Sequence, residues 1–269
     1  MSSPASLVQP QDPRERFAKP PFPQGKQSGS GSAEKLDPPA DYGELTYKGH
    51  DRLTGRAALI TGADSGIGRA VALCFAKEGA DVLFTYLAGD QDEQTDAEET
   101  VRLVEATGRK AVALPGDIRD KAFCQQLVDR TVQEFGRLDI LVNNAAFQRT
   151  YAELTDIPEE EFDRTYRTNV YGTFFLTQAA LPQMKPGGVI LNSCSIEAYE
   201  PDDMLAPYAS TKAALVSLTK SFSKLCESTL FKRPAQPVEQ AAVFVFLASD
   251  DASYVTGEIY GATGGKMPF

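Results

Sequence analysis

One stretch constrains the fold more than any other. A continuous apolar run, Ala57-Ala58-Leu59-Ile60-Thr61, passes through Gly62, Gly66 and Gly68 directly into the amphipathic pattern Arg69-Ala70-Val71-Ala72-Leu73. A run of this kind reads as a strand buried on both faces, and glycines at this spacing read as a tight turn opening a helix. The free N–H groups and positive dipole end of such a helix favour an anion, so a pyrophosphate is the expected guest. Gly62 permits the turn, Gly66 lets a ligand approach the backbone, and Gly68 lets the helix lie close on the strand. Asp64, Ser65 and Ile67 complete the loop.

From Gly55 onward, short apolar runs alternate with longer amphipathic stretches, the pattern of β-α-β units around a parallel sheet. Strands are expected at Ala57–Thr61, Val82–Tyr86, Ala111–Leu114, Ile140–Val142, Val189–Ser193 and near Glu258–Gly261. Helices are expected at about Gly66–Lys77, Asp92–Thr107, Arg119–Phe135, Glu159–Met184 with an internal break, Pro207–Glu227 and Pro237–Ala248. The chain therefore divides into an arm, residues 1–54, and a dinucleotide-binding catalytic domain, residues 55–269. The arm is rich in proline and carries the Gly/Ser tract Ser28–Ser32. It reads either as a disordered tail or as a strap; Phe17, Phe22, Leu36, Tyr42, Leu45 and Tyr47 supply the spaced anchors that favour a strap.

Composition excludes several functions. With 27 Lys and Arg against 37 Asp and Glu, the net charge is −10. A chain this acidic repels phosphate backbones and anionic lipid heads, so neither nucleic acid nor a membrane is the expected partner. Four scattered cysteines and one histidine offer neither a disulfide framework nor a zinc site. No apolar run approaches the roughly 18 residues of a membrane span, and Met1–Ser6 lacks a basic region followed by an apolar one. A soluble, cytoplasmic protein without metal is the expectation.

A second constellation carries chemistry. In Tyr208-Ala209-Ser210-Thr211-Lys212, residues four apart share a helix face, which brings phenol and ammonium into one space. A free tyrosine titrates near 10, and bringing it to neutrality asks for roughly 4 kcal/mol of preferential phenolate stabilisation. The spacing alone proves little, because ten tyrosines would produce about half a match by chance. Ser195 closes the strand Val189–Ser193, and open α/β sheets bind ligands at the carboxyl ends of their strands, so its hydroxyl faces the same crevice. Asn169 lies in Thr168-Asn169-Val170-Tyr171-Gly172.

The motif Thr61-Gly62-x-x-x-Gly66-Ile67-Gly68, followed in order by Asn143-Asn144-Ala145-Ala146, Ser195, Tyr208-x-x-x-Lys212 and Tyr254-Val255-Thr256-Gly257, resembles the short-chain dehydrogenase/reductase family. The likeness covers most of residues 55–269, and the Pro-rich arm resembles the glucose/ribitol dehydrogenase homologue, or general stress protein, branch. The resemblance implies a single Rossmann domain, a doubly wound parallel sheet. It implies hydride exchange between a nicotinamide cofactor and a small alcohol, aldehyde, polyol or sugar. Tyr208 would be the general acid and base, Ser195 would stabilise the alkoxide, Lys212 would tune the tyrosine and bind ribose, and Asn169 would maintain a proton relay. The cofactor would be held by Gly62, Asp64, Ser65, Gly66, Ile67, Gly68, Tyr86, Asp117, Ile118, Asn143 and Ala145, together with Tyr208 and Lys212. NADP or NAD is implied, with NADP favoured because Tyr86 stands where a carboxylate would repel a 2′-phosphate. A homotetramer is also implied.

The resemblance breaks after Glu227. There Leu225-Cys226-Glu227 runs directly into Ser228–Pro237, where the family has another strand and a substrate lid. Three explanations are open: residues omitted between Leu225 and Leu230, a true absence, or a rearranged fold. Omission predicts a chain break there, with consecutive Cα atoms much more than 3.8 Å apart. True absence favours the alternative of a catalytically silent dinucleotide-binding or structural subunit.

Overall fold

The computed structural model describes residues 12, 18–23, 25, 27, 32–89, 91–230, 244, 246–248, 250–252, 254 and 255, with backbone only for 223–230. The chain falls into two compact units, one of Gly25–Thr219 and one of Met1–Gln24 with Lys220–Phe269.

The first unit contains a five-stranded parallel sheet. Its strands are β1 Ala57–Thr61, β2 Asp81–Tyr86, β3 Ala111–Pro115, β4 Ile140–Asn143 and β5 Val189–Asn192, in the order β3-β2-β1-β4-β5. Register is set by pairs such as Ile60 with Phe84 and with Val142. Side-chain alternation divides the core between the two faces. Ala58, Ile60, Val82 and Phe84 join one buried cluster with Ala72, Ala76 and Val104. Leu59, Leu83 and Leu141 join another with Leu127 and Leu176. The helices supplying these residues are α1 Gly66–Lys77 and α2 Gln91–Glu105 on the first face, and α3 Lys121–Phe135 and α5 Gly172–Ala180 on the second. Every residue of β1 is buried, which is why the strand could be read from its unbroken apolar run.

The expected break in Glu159–Met184 is a π-helical turn, Arg167–Tyr171, between α4 Glu159–Tyr166 and α5. The helix after β5, α6 Ala206–Leu230, runs unbroken through residues 225–230. Helical backbone occupies every position from 225 to 230, so the chain break expected there is not present. The last expected strand, near Glu258–Gly261, and most of the expected helix Pro237–Ala248 lie outside the described residues.

Residues of the arm pack on α1 and α2. Tyr42 is buried with Leu73 and Leu103. The Lys77 ammonium donates to the carbonyls of Gly43, Glu44 and Tyr47 at 2.7, 2.6 and 3.0 Å. Glu78 accepts the Tyr47 hydroxyl, the Arg52 guanidinium, and the N–H groups of His50 and Arg52 at 3.0 Å each. These bonds, the Arg52 side chain foremost, hold the Glu78 carboxyl far below the usual carboxylate range. Leu45, by contrast, is 94% exposed and anchors nothing. Phe17 lies outside the described residues.

Candidate active site

The sheet order reverses between β1 and β4, and the carboxyl ends of β1, β4 and β5 meet there, the position at which open α/β sheets hold ligands. Gly62 and Gly66 adopt positive φ angles of 61° and 54°. A Cβ on Gly66 would meet nothing within 4 Å, whereas one on Gly68 would fall 2.0 Å from the Gly62 carbonyl oxygen. Helix α1 therefore sits against the turn with only backbone between them. At its start, Gly66 and Ile67 are exposed, and Ser65 makes no side-chain cap; instead Ser65 Oγ donates to Asp64 Oδ2 at 2.9 Å. Asp64 itself is buried. The first-turn N–H groups of a helix lack intrahelical partners, and with Gly66 and Ile67 exposed and open space beside Gly66 this end of α1 suits the pyrophosphate of a dinucleotide.

Other predicted cofactor residues surround this loop. The Asn143 amide donates to Asn192 Oδ1 at 2.9 Å and binds β4 to β5. The Ala145 N–H donates to Thr61 Oγ1 at 3.0 Å, and a Cβ on Gly62 would lie 3.0 Å from the Ala145 Cα. Ile118 is buried against α5, where a Cβ on Gly172 would strike its Cδ1 at 2.8 Å. Asp117 is engaged by Arg119; burial pushes its carboxyl up, but the Arg119 side chain and N–H outweigh this and hold it below the usual range. Tyr86 ends β2 half-buried, and its phenol is pushed up by burial and then by the carboxylates of Glu98 and Asp64.

Helix α6 carries the second constellation. Lys212 is 3% exposed. Its Nζ lies 5.3 Å from the Tyr208 ring centroid and donates to the Ser193 carbonyl at 2.7 Å. Burial pushes this ammonium below the usual lysine value, against which the nearby Cys194 acts weakly. Asn169 is 1% exposed, in the π turn. Its Oδ1 accepts the Phe147 N–H at 2.7 Å, and its Nδ2 donates to the Phe147 carbonyl and to Thr211 Oγ1, each at 3.0 Å. Thr211 in turn donates to the Tyr208 carbonyl at 2.6 Å. Ser195 caps the short helix Ile196–Ala198, accepting the Glu197 N–H at 3.2 Å; no hydrogen bond joins it to Tyr208 among the described residues.

Two residues outside the sequence expectation connect these groups. Asn144 Nδ2 donates to the carbonyls of Thr61 and Gly62 at 3.1 and 2.8 Å, and Asn144 Oδ1 accepts the Ser193 hydroxyl at 3.2 Å. The Ser193 carbonyl then receives Lys212. A continuous path thus runs from the glycine turn through Asn144 and Ser193 to the Tyr208–Lys212 helix. The signal for Asn144 was its place in Asn143-Asn144-Ala145-Ala146; nothing local marked Ser193.

Such an arrangement, an anion cradle beside a paired phenol and ammonium, defines a dinucleotide-dependent oxidoreductase. A family model for short chain dehydrogenases matches residues 56–229. An uncharacterised oxidoreductase of Bacillus subtilis (strain 168), YhxD, is 39% identical over 291 positions, covering 94% of this chain and 96% of its own length. The glucose and ribitol dehydrogenase of Daucus carota is 35% identical over 282 positions, with 91% and 96% covered. Among solved structures, a short chain dehydrogenase from Burkholderia cenocepacia J2315 in complex with NADP shares 37% identity and a TM-score of 0.61, covering 64% of this chain and 69% of that one. The chain belongs to the short-chain dehydrogenase family and is an NAD(P)-dependent dehydrogenase/reductase. Since 94% of 269 residues is about 253, some 38 of the 291 positions compared with YhxD fall opposite gaps in this chain. Among the described residues, no helix is long and apolar enough to cross a membrane.

Proposed function

We propose that this protein interconverts a small alcohol, polyol or sugar with its carbonyl form, with Tyr208 as the proton-transferring group. The observation that carries the reading is the burial of the Lys212 ammonium 5.3 Å from the Tyr208 ring, on the same helix and beside the end of β5.

The nicotinamide supplies hydride exchange when bound. Gly62, Ser65, Gly66, Ile67 and Gly68 would hold its pyrophosphate, with Asp64 buried beneath and Asn143 and Ala145 securing the strand ends behind it. Asp117 and Ile118 would border the adenine, and Tyr86 the adenosine ribose. NADP is favoured over NAD, because Tyr86 brings no carboxylate of its own against a 2′-phosphate; the NADP held by the Burkholderia protein supports this. The sugar and polyol class is supported by the carrot enzyme's name.

Tyr208 Oη gives a proton to the substrate oxygen during reduction and takes it during oxidation. Lys212 lies beside it with a charge that favours phenolate and a pKa already drawn downward by burial. Ser195 Oγ donates to the same substrate oxygen and stabilises developing alkoxide charge. Asn169 anchors the Phe147 loop to Thr211 and so holds the helix turn carrying Tyr208. The family's homotetramer is proposed with it.

Turnover of NADPH and NADH with aldehydes and sugars, and of NADP+ and NAD+ with sugars and polyols, tests the reading, with Tyr208→Phe beside wild type. The variant loses about 10² to 10⁴ in kcat and retains dinucleotide affinity. Wild-type turnover in Tyr208→Phe refutes the assignment, and a wild-type protein that binds dinucleotide but turns over no substrate returns the silent-subunit alternative.

A further inference from the structure

Beneath the glycine turn lies a buried ion pair that the proposed chemistry does not use. Arg69 and Asp96 are 3% and 2% exposed, and Thr100 is 0% exposed. Arg69 Nε donates to the Asp64 carbonyl at 2.8 Å and to Thr100 Oγ1 at 3.0 Å, and Arg69 Nη2 donates to the Asp96 carbonyl at 3.0 Å. The same Nη2 lies 3.1 Å from Asp96 Oδ1. Thr100 Oγ1 also lies 2.9 Å from the Asp64 carbonyl. Two donors thus converge on the one carbonyl midway between Gly62 and Gly66, the residues whose left-handed backbone shapes the cradle.

The outer side of this pair is closed by the arm. Asp96 Oδ2 accepts the Ala33 N–H at 3.0 Å, and the Arg69 guanidinium stacks 4.7 Å from the centroid of the Tyr42 ring. Two charges taken out of water are costly and persist only where surrounding groups satisfy them. Here the engaging groups are a backbone N–H and an aromatic face from the strap, plus the loop carbonyl itself, while Asp96 Oδ1 faces Arg69 Nη2 without a hydrogen bond among the described residues. Seating of the strap and shape of the loop therefore share one set of bonds.

We propose that Arg69 and Asp96 are positioning residues for the dinucleotide loop, and that residues 33–42 of the strap control cofactor affinity through them. This rests on reading Gly62–Gly68 as the dinucleotide cradle. With the strap seated, Arg69 holds the Asp64 carbonyl inward and the first-turn N–H groups outward. With the strap contacts removed, the pair gains water, Arg69 loosens its hold and the loop must be ordered by the cofactor at binding.

The test measures dissociation constants for NADPH and NADH by calorimetry on the full chain. Ala33→Pro deletes the backbone N–H donated to the Asp96 carboxylate while suiting the local backbone, since Ala33 opens a 3-10 turn and Ser32 before it is already extended at φ −111°, ψ 135°. Its cofactor dissociation constant rises about threefold, and that of Asp96→Asn about tenfold, within the range that coupling through a packed network spans. The loss falls on cofactor KM far more than on kcat. Tyr42→Leu weakens binding, and Tyr42→Phe, which keeps the ring under the guanidinium, restores it. Wild-type affinity in Ala33→Pro and Asp96→Asn overturns the proposal. So does a parallel loss of kcat and thermal stability without a preferential rise in cofactor KM, which marks a merely structural pair. Failure of the wild-type protein to bind either dinucleotide counts against the cradle reading itself, and so is distinguishable from both.

Discussion

Replacing Gly66 and Gly68 with alanine, one at a time, separates two physical reasons for glycine in the same turn. At Gly68 the added Cβ would sit 2.0 Å from the Gly62 carbonyl oxygen, 2.7 Å from the Ala63 Cα and 2.7 Å from Asn144 Nδ2. Ordinary contact begins at about 3.5 Å, so α1 and the turn must part by roughly 1.5 Å. Backbone on two sides leaves no flexible side chain to yield, and Asn144 must release its 2.8 Å bond to Gly62. Overpacking of this kind costs about 3 kcal/mol, or roughly 6–12 °C in Tm for a chain of this size. At Gly66 no atom lies within 4 Å of the added carbon, and only the φ of 54° resists it, at roughly 1 kcal/mol. Thermal melts and dinucleotide calorimetry on both variants read the two effects apart. Gly68→Ala loses stability and affinity together, whereas Gly66→Ala keeps most of its stability and loses affinity, because its methyl occupies the ligand's approach. Equal melting temperatures for the two variants would refute the packing argument, and undiminished affinity in Gly66→Ala would remove the pyrophosphate from this turn.

Two further predictions concern pH. Because the folded-state pKa of Glu78 is depressed, its contribution to stability is present above the unfolded value of about 4.3 and lost as pH falls below it. Glu78→Gln then costs about 2 kcal/mol at pH 7, modest because Arg52 is 55% exposed and resolvates, and urea melts at pH 7 and 3.5 show the gap closing in acid. For Lys212 the folded-state pKa is also depressed, by burial, but the group is a cation, so wild-type stability rises with pH towards the unfolded lysine value of about 10.4. The stability of Lys212→Met minus that of wild type therefore declines between pH 7 and 10, and a flat difference would contradict the burial of a charged ammonium.

What the sequence disclosed follows the range of the interactions involved. The glycine turn was legible because its cause is local: two positive φ angles and one close approach within seven residues. Tyr208 and Lys212 were legible because a helix places residues four apart on one face. The helix break around Asn169 could be anticipated, but not its π-helical form or the bonds that Asn169 makes to Phe147, 22 residues away, and to Thr211, 42 away. Ser193 receives Lys212 through its backbone carbonyl, which every residue has, and reaches Asn144, 49 residues away, through its hydroxyl, so nothing local could signal it. Arg69 carries no local mark of burial; the arrival of Asp96 and Tyr42 from distant segments buries it. The arm left two readings open for the same reason, since Tyr42 and Tyr47 find their partners on α1 and just beyond it, while the equally apolar Leu45 finds none.

The residues placed around Tyr208 and Lys212 lie within one compact unit, before the point where the family resemblance breaks at Glu227. Asn144, Asn169, Ser193, Ser195, Tyr208 and Lys212 all belong to the unit Gly25–Thr219, and the path from Gly62 through Asn144 and Ser193 to Lys212 closes entirely within it. The sheet gives a different answer on its outer side. In β1, flanked on both edges, every side chain is buried, whereas in β5, the last strand in the described order, Val189 and Leu191 are 40% and 43% exposed. A parallel strand with both faces covered does not leave alternate apolar side chains half open. The chain is also some 38 positions short against YhxD. Val189 and Leu191 stay half open while Lys212 is 3% exposed. The bonds that tie the Tyr208–Lys212 helix to the glycine turn therefore depend on no residue beyond Thr219.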